Sequence, residues 1–164
     1  KGLDRLIHLY QHFSDVPKLT FSITTNKKLA AWMRSKIPNH TMWANLPKYR
    51  LPAYLQPFRG SILFIPSRYE GFSLSLIEGM SQGLIPVIYP VGVAPEIIRN
   101  GENGFLVSSQ AEAIERIDQL LRDASLRKLL SAEASKTAHK FSGDTIARKL
   151  LELYNHILEP APTP

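Results

Sequence analysis

Apolar residues recur along the first two thirds of the chain with two alternating periods. Leu3, Leu6, Ile7 and Tyr10 fall at helical spacing with Asp4, Arg5 and Gln11 opposite, which predicts a helix over residues 3–13. Residues 19–24 (Leu-Thr-Phe-Ser-Ile-Thr) alternate apolar and polar side chains and carry β-branched ones, the pattern of a strand. Residues 26–37 are helical again and stop at Pro38-Asn39. A short strand over 41–46 follows, then a helix over 51–58 that Pro52 and Pro57 confine to a few turns. Residues 61–66 (Ser-Ile-Leu-Phe-Ile-Pro) are a continuous apolar run, as expected for a parallel strand buried on both faces. A helix is predicted over 73–83 and a strand over 85–89, with Pro86 near its start where a missing N–H matters least. A turn of helix at 96–99 and a short strand at 104–107 complete the alternation. Three consecutive helices follow at 111–122, 125–140 and 144–158, each apolar at i, i+3, i+4 and i+7. Residues 159–164 (Glu-Pro-Ala-Pro-Thr-Pro) read as a flexible tail.

Helices alternating with strands up to residue 107 imply an α/β fold: a Rossmann-like parallel sheet with flanking helices and a helical C-terminal end. No internal repeat interrupts this single domain over 1–158. A doubly wound sheet ordinarily opens on a strand, whereas this sequence opens on a helix at Lys1-Gly2, so a segment of a longer chain is expected.

Composition narrows the class. The 164 residues, 44% of them hydrophobic, suit one globular domain and exclude a disordered chain. The absence of cysteine removes disulfide frameworks, thiolate catalysis and Cys-based zinc sites, and fits a reducing, cytoplasmic compartment. No apolar run approaches the roughly 18 residues of a membrane span, and no signal peptide is recognised. Lys plus Arg exceed Asp plus Glu by 20 − 14 = 6. Adjacent cations occur only as the isolated pairs Lys27-Lys28, Arg127-Lys128 and Arg148-Lys149, so no basic tract for nucleic acid is present. The excess is compatible with peripheral association with an anionic membrane surface, or with an anionic ligand.

The informative stretch is Pro66-Ser67-Arg68-Tyr69-Glu70-Gly71-Phe72-Ser73-Leu74-Ser75-Leu76-Ile77-Glu78-Gly79-Met80. It reads as buried strand, loop and helix, and ligands of open α/β sheets bind beyond the carboxyl ends of the strands. The unpaired N–H groups of Ser73, Leu74 and Ser75 would form an anion site suited to a diphosphate, with Gly71 permitting close approach. On the helical wheel Leu76, Ile77, Met80 and Leu84 form an apolar arc that leaves Glu78 on the other side, with Leu74 above and Gln82 below. Two carboxylates, Glu70 and Glu78, thus flank one anion site, where they can accept hydrogen bonds from paired hydroxyls such as those of sugars and ribose.

Glu70 and Glu78 form an E-x7-E pattern inside PSRYEGFSLSLIEGMSQGLIPVI, which resembles the donor-binding motif of retaining GT-B glycosyltransferases of family 4 (group 1). The resemblance continues through Gly92-Val93-Ala94-Pro95-Glu96-Ile97-Ile98 and Asn100-Gly101-Glu102-Asn103-Gly104-Phe105-Leu106-Val107, reaches back to Lys1-Gly2-Leu3-Asp4-Arg5-Leu6-Ile7, and extends through Phe141-Ser142 to the last helix. It therefore covers almost the whole chain, as the C-terminal, nucleotide-sugar-binding half of such an enzyme. The resemblance implies that Glu78 binds the ribose hydroxyls and Glu70 the transferred sugar. It also implies that the Gly71, Phe72, Ser73 and Leu74 backbone cradles sugar and diphosphate, and that Lys1 contacts the diphosphate. It further implies a donor of UDP or GDP type, no cofactor, no metal, and a carbohydrate or lipid-linked acceptor held by an N-terminal domain. No Asp-x-Asp pair occurs. The sequence departs from the family pattern at Thr24-Thr25-Asn26, which leaves the base-side wall open, at Asn45, at Gly92-Val93-Ala94 and at Gly143.

Two other classes share this fold. One is a non-catalytic nucleotide-sugar sensor or scaffold domain; the other, a nucleic-acid module, rests on the +6 charge alone. His8, His12, His40, His139 and His156 show no metal spacing, and Trp32, Trp43 and Tyr49 read as packing residues.

Overall fold

Every residue of the strand Ile85–Ile88 is buried, and its two faces are covered by different helices. The computed structural model describes residues 2–14, 16, 20–24, 27–37, 40–44 and 46–158; for the two strands 20–24 and 40–44 only the backbone is described. In chain order the elements are α1 (Leu3–His12), β1 (Thr20–Thr24), α2 (Lys27–Lys36), β2 (His40–Ala44), α3 (Leu51–Leu55) between two single 3-10 turns, β3 (Ile62–Ile65), α4 (Leu74–Ser81), β4 (Ile85–Ile88), α5 (Ala94–Ile97), β5 (Phe105–Leu106), α6 (Gln110–Arg122), α7 (Ala124–His139) and α8 (Gly143–Leu158). Each element predicted from the sequence is present, most within one or two residues of its expected bounds. The region 51–58 instead divides into α3 and a 3-10 turn carrying Pro57, which has no N–H to continue an α-helical ladder.

The strands pair in parallel, but in two sheets rather than one: β1 with β2, and β3–β4–β5. Successive side chains of a strand point to opposite faces. On one face Ile85, Val87 and Tyr89 pack with Phe105 and Val107 against Leu9 of α1 and Ala113, Ile117 and Leu120 of α6. On the other, Ile65 and Ile88 meet Leu76 and Met80 of α4, Ile97 of α5, and Ala134 and Ala138 of α7. Two covered faces explain why the strand sequences are apolar without alternation. Helix α1 also packs on α2, since Leu3, Leu6, Ile7 and Tyr10 lie against Ala30, Met33 and Ile37 in and just after that helix.

One expectation fails, and one predicted element meets no partner. Trp32 and Tyr49 are exposed, not core; the Arg50 guanidinium lies 5.7 Å from the Tyr49 ring centroid. The Trp43 side chain lies outside the described residues. Helix α8 has the predicted amphipathic pattern yet buries no residue, and Ile146, Leu150, Leu153, Tyr154 and Ile157 on one face are all exposed. The predicted tail 159–164 lies outside the described residues.

Polar contacts fix what surrounds the end of β3. Arg5 donates from Nη1 to the carbonyls of Pro66 (3.2 Å) and Ser67 (3.4 Å) and stacks over Tyr89, 3.6 Å from the ring centroid. Its own carbonyl accepts from Gln110, whose other amide atom accepts from the Tyr89 hydroxyl. Asp4 and Arg68 form a bidentate pair with both contacts at 2.6 Å, tying α1 to the loop after β3. Further along, the fully buried Asn103 accepts from the Arg99 N–H and donates to the Ile97 carbonyl and the Thr137 hydroxyl, pinning the turn before β5 to α7. The Asn100–Gly104 part of the sequence pattern is thus structural.

Replacing Asn103 by Ala removes two buried hydrogen bonds and a part-buried one, at about 1–3 kcal/mol for an unsatisfied buried group and with partial relaxation. Urea unfolding of Asn103→Ala should show a loss of about 2–4 kcal/mol with an unchanged slope.

The hydrogen bonds from Arg68 hold the Asp4 carboxyl well below the usual carboxylate range. A carboxyl depressed in the folded state stabilises it above the unfolded value of about 3.9, and that contribution fades as pH falls toward the folded value. Carbonyl-detected NMR titration should find Asp4 still ionised at pH 3 in the wild type and titrating near about 4 in Arg68→Gln. An Asp4 titration that ignores Arg68→Gln would refute the pair.

Candidate functional site

Parallel strands deliver every following loop to one edge, so the segments after β3 and β4 meet beyond the carboxyl ends of the sheet. The chain enters this edge at Gly2, whose φ of +83° and lack of a side chain let it lie against the Pro66 carbonyl; a Cβ would collide with that oxygen. From Pro66 the loop turns through Ser67, which is buried and donates from Oγ to Glu70 Oε1 at 2.7 Å. Glu70 is thereby fixed in orientation and half-buried, while Tyr69 and Phe72 are exposed. Phe72 packs edge-on to Phe141 with centroids 5.9 Å apart, so the helical C-terminal end also supports this loop.

Ser73 caps α4 in the left-handed region, at φ +53°, the only described non-glycine residue with positive φ. Such a conformation costs roughly 1–3 kcal/mol and persists where surrounding structure demands it. Its side chain makes no capping bond. Ser73 Oγ is instead buried without a hydrogen-bond partner, the only such side-chain atom among the described residues. Its carbonyl accepts from the Leu76 N–H, which starts the helix. The N–H groups of Ser73, Leu74 and Ser75 have no acceptor among the described residues, as expected for a helix N-terminus. Three donors, an orphan hydroxyl and the positive end of a helix dipole therefore converge at one turn.

Glu78 lies one turn into α4 beyond Leu74, half-buried, opposite the arc in which Leu76 and Met80 are fully buried. Its carboxylate makes no hydrogen bond or ion pair with the described residues. A Cβ at Gly71 would meet nothing within 4 Å, so the space beside it is open and the protein's own close approach lies elsewhere. The close approach is made at Gly92, at φ +57°, where a Cβ would strike the Gly71 and Glu70 carbonyls. The Val93 N–H donates to the Gly71 carbonyl at 3.2 Å, so the loop after β4 clamps the loop carrying Glu70.

The structure thus brings together Glu70, Gly71, Phe72, Ser73 and Leu74, with Glu78 one turn behind. Lys1 lies outside the described residues, as do Thr25, Asn26 and Asn45. Ser67, Arg68 and the Gly92 clamp position these residues and carry no signal at the level of motif spacing. Gly92 alone is marked, by the turn composition Gly-Val-Ala-Pro before a helix. Among the described residues, no three His, Asp or Glu side chains gather where one ion could bind, and no helix is long and apolar enough to cross a membrane.

Residues 1–137 match the family described as glycosyl transferases group 1. Among curated proteins the chain is 32% identical over 133 residues to a sucrose synthase of Melioribacter roseus, covering 72% of this chain and 16% of that protein. It is 35% identical over 100 residues to a D-inositol 3-phosphate glycosyltransferase of Streptomyces griseus, covering 60% and 21%. Among solved structures, sucrose-phosphate synthase of Thermosynechococcus elongatus superposes with TM-score 0.78 at 18% identity, covering 96% of this chain and 42% of that one. The C-terminal domain of a glycosyl transferase group 1 family protein from Francisella tularensis superposes with TM-score 0.68 at 19% identity, covering 85% and 78%. The chain spans between 16% and 29% of the length of the first curated relatives it matches. Its α/β fold is that of a GT-B C-terminal half, and the chain belongs to the glycosyl transferases group 1 family.

Proposed function

We propose that this chain is the donor-binding part of a retaining, family 4 glycosyltransferase that takes a nucleotide-diphosphate sugar without a metal ion. The observation that carries this reading is the turn at Ser73: three N–H groups and a buried hydroxyl, none with a partner among the described residues, lie at the edge that Glu70 and Glu78 flank. A diphosphate supplies acceptors for that turn, and the sugar and ribose supply hydroxyls for the two carboxylates. Glu78 takes the ribose hydroxyls and Glu70, oriented by Ser67, takes those of the transferred sugar. The backbone of Gly71, Phe72, Ser73 and Leu74 holds sugar and diphosphate, and Lys1 adds a cation to the diphosphate. UDP or GDP is the nucleotide class.

In the reaction the bond between the anomeric carbon and the diphosphate oxygen breaks, and its electron pair leaves with the diphosphate. The helix N–H groups lie at the turn where that charge grows, so they stabilise the transition state with little reorganisation, and Lys1 is assigned to the same charge by the family pattern. The acceptor hydroxyl bonds to the same face of the sugar and passes its proton to the departing diphosphate oxygen. We assign the acceptor, a carbohydrate or lipid-linked sugar, to an N-terminal domain of a longer cytoplasmic protein; the short span relative to the curated relatives supports this assignment. Acceptor positioning supplies roughly 7–11 kcal/mol of barrier reduction in well-oriented reactions. The chain by itself is therefore a binder of donor and not a transferase.

Calorimetry tests the two glutamates separately. Hydrogen bonds to a charged group contribute about 1.5–3 kcal/mol, so Glu78→Ala should weaken the preferred nucleoside diphosphate about tenfold or more, and Glu78→Gln less. Unchanged affinity with an intact fold would remove Glu78 from the site.

Glu70→Ala should leave the free nucleoside diphosphate bound as in the wild type while weakening its sugar conjugate. Equal loss for both ligands would show that the two carboxylates do not divide sugar from ribose.

A further inference from the structure

The end of the sheet opposite the Ser73 turn carries a second concentration of one charge. A cavity of ≈ 450 Å³ opens there, lined by Arg59, Gly60, Arg127, Lys128 and Ser131 with Ala124 and Ala132. Gly60 precedes β3 and the Ser73 turn follows it, so the four residues of that strand alone, at about 3.3 Å each, separate the two places by more than about 13 Å. Three cations face this space and no carboxylate lines it.

The geometry of the cations is built, not incidental. Ala124, Arg127, Lys128 and Ser131 follow the i, i+3, i+4, i+7 rule and share one face at the start of α7. Arg127 is held by donating from Nη1 to the last carbonyls of α6, those of Leu120 and Leu121, so its charge stays where α6 ends and α7 begins. Arg59 reaches the same space from the turn before β3. A Cβ at Gly83 would lie 3.0 Å from its Cγ and 3.5 Å from its guanidinium carbon, so the Arg59 side chain lies over the Gly83 turn. That turn is closed by Ser131 Oγ and the Gly60 N–H, which both donate to the Gly83 carbonyl. The adjacent acid, Asp123, accepts from the Leu126 N–H as the cap of α7. Arg59 and Lys128 make no hydrogen bond or ion pair with the described residues.

Three like charges around one concavity repel each other and concentrate a positive potential that counter-ions relieve. Guanidinium groups match the paired oxygens of phosphate, and an ammonium adds a point charge beside them. We propose that this cavity is a second anion site, distinct from the Ser73 turn, that binds a phosphate-bearing ligand through Arg59, Arg127 and Lys128.

The test uses the 164-residue chain at low salt with inorganic pyrophosphate as probe, followed by amide NMR shifts. A second arm measures sedimentation with vesicles of equal parts phosphatidylcholine and phosphatidic acid. Variants are Arg59→Gln with Lys128→Gln, which touch no structural hydrogen bond, and Lys136→Gln as a surface control. Pyrophosphate should shift amides around residues 59–60 and 124–132. The double variant should weaken that binding about tenfold or more, the size of a lost charge-assisted hydrogen bond, and the control should not. Vesicle binding that the double variant abolishes, without pyrophosphate binding, assigns the phosphate to a lipid headgroup; the reverse assigns it to a free phosphate. Shifts confined to residues 71–75, unchanged affinity in the double variant, or no binding in either arm would overturn the proposal.

Discussion

Covering both faces of β4 is the constraint on which the rest of the structure depends. A strand whose residues are all apolar exposes no face to water, so each strand-to-strand connection of the β3–β4–β5 sheet has to cross the sheet as a helix and lay down a parallel neighbour. Helices α4, α5 and α7 on one side, with α1 and α6 on the other, satisfy that demand. Parallel order then forces every loop that follows a strand onto one edge. The concentration of Glu70, Ser73 and the Gly92 clamp at that edge is a consequence of burying Ile85, Val87 and Ile88.

Within the edge, stability is given up locally and recovered around it. Ser73 holds a left-handed backbone and an unpaired buried hydroxyl, both unfavourable in the protein alone. The neighbours that keep it there are well fixed: Leu76 and Met80 are fully buried just behind it, and the loop after β4 bonds back through Val93. The Asp4–Arg68 pair and the Arg5 bonds to Pro66 and Ser67 brace the other side. A turn whose donors face outward, supported on both flanks by a rigid frame, is preorganised for an anion and needs little rearrangement to receive one.

The periodicity of apolar residues made the elements legible, because helix and strand spacing are properties of single segments. The strand–loop–helix carrying Glu70 and Glu78 was legible for the same reason. What the periodicity missed depends on contacts between particular residues rather than on spacing. Ser67 holds Glu70 within the same loop, yet nothing in its spacing distinguishes it from a solvated serine; Gly92 matters only because the Gly71 carbonyl lies where its Cβ would be. The division into two sheets is equally nonlocal, since which strand edges meet is decided by packing and not by the alternation that defines each strand. Gly71 is legible as a point where a ligand can come close, whereas the close contact within the protein sits 21 residues later, at Gly92.

Helix α8 and the basic cavity show the same limit from opposite directions. The amphipathic pattern of α8 is as regular as that of α6, yet Ala113, Ile117 and Leu120 are buried and every apolar residue of α8 is not. Periodicity reports that a face is apolar; only the fold reports whether something covers it. The cations are the converse case. Arg59 and Lys128 are separated by 69 residues and read as scattered surface charge, and only the packing of α7 beneath the Gly83 turn brings them to one cavity with Arg127. Net charge therefore says little here about partners. An excess of six spread evenly would be ordinary solvation, whereas three of those charges around one concavity, at the edge that the donor motif does not occupy, form a local field with a definite place in the fold.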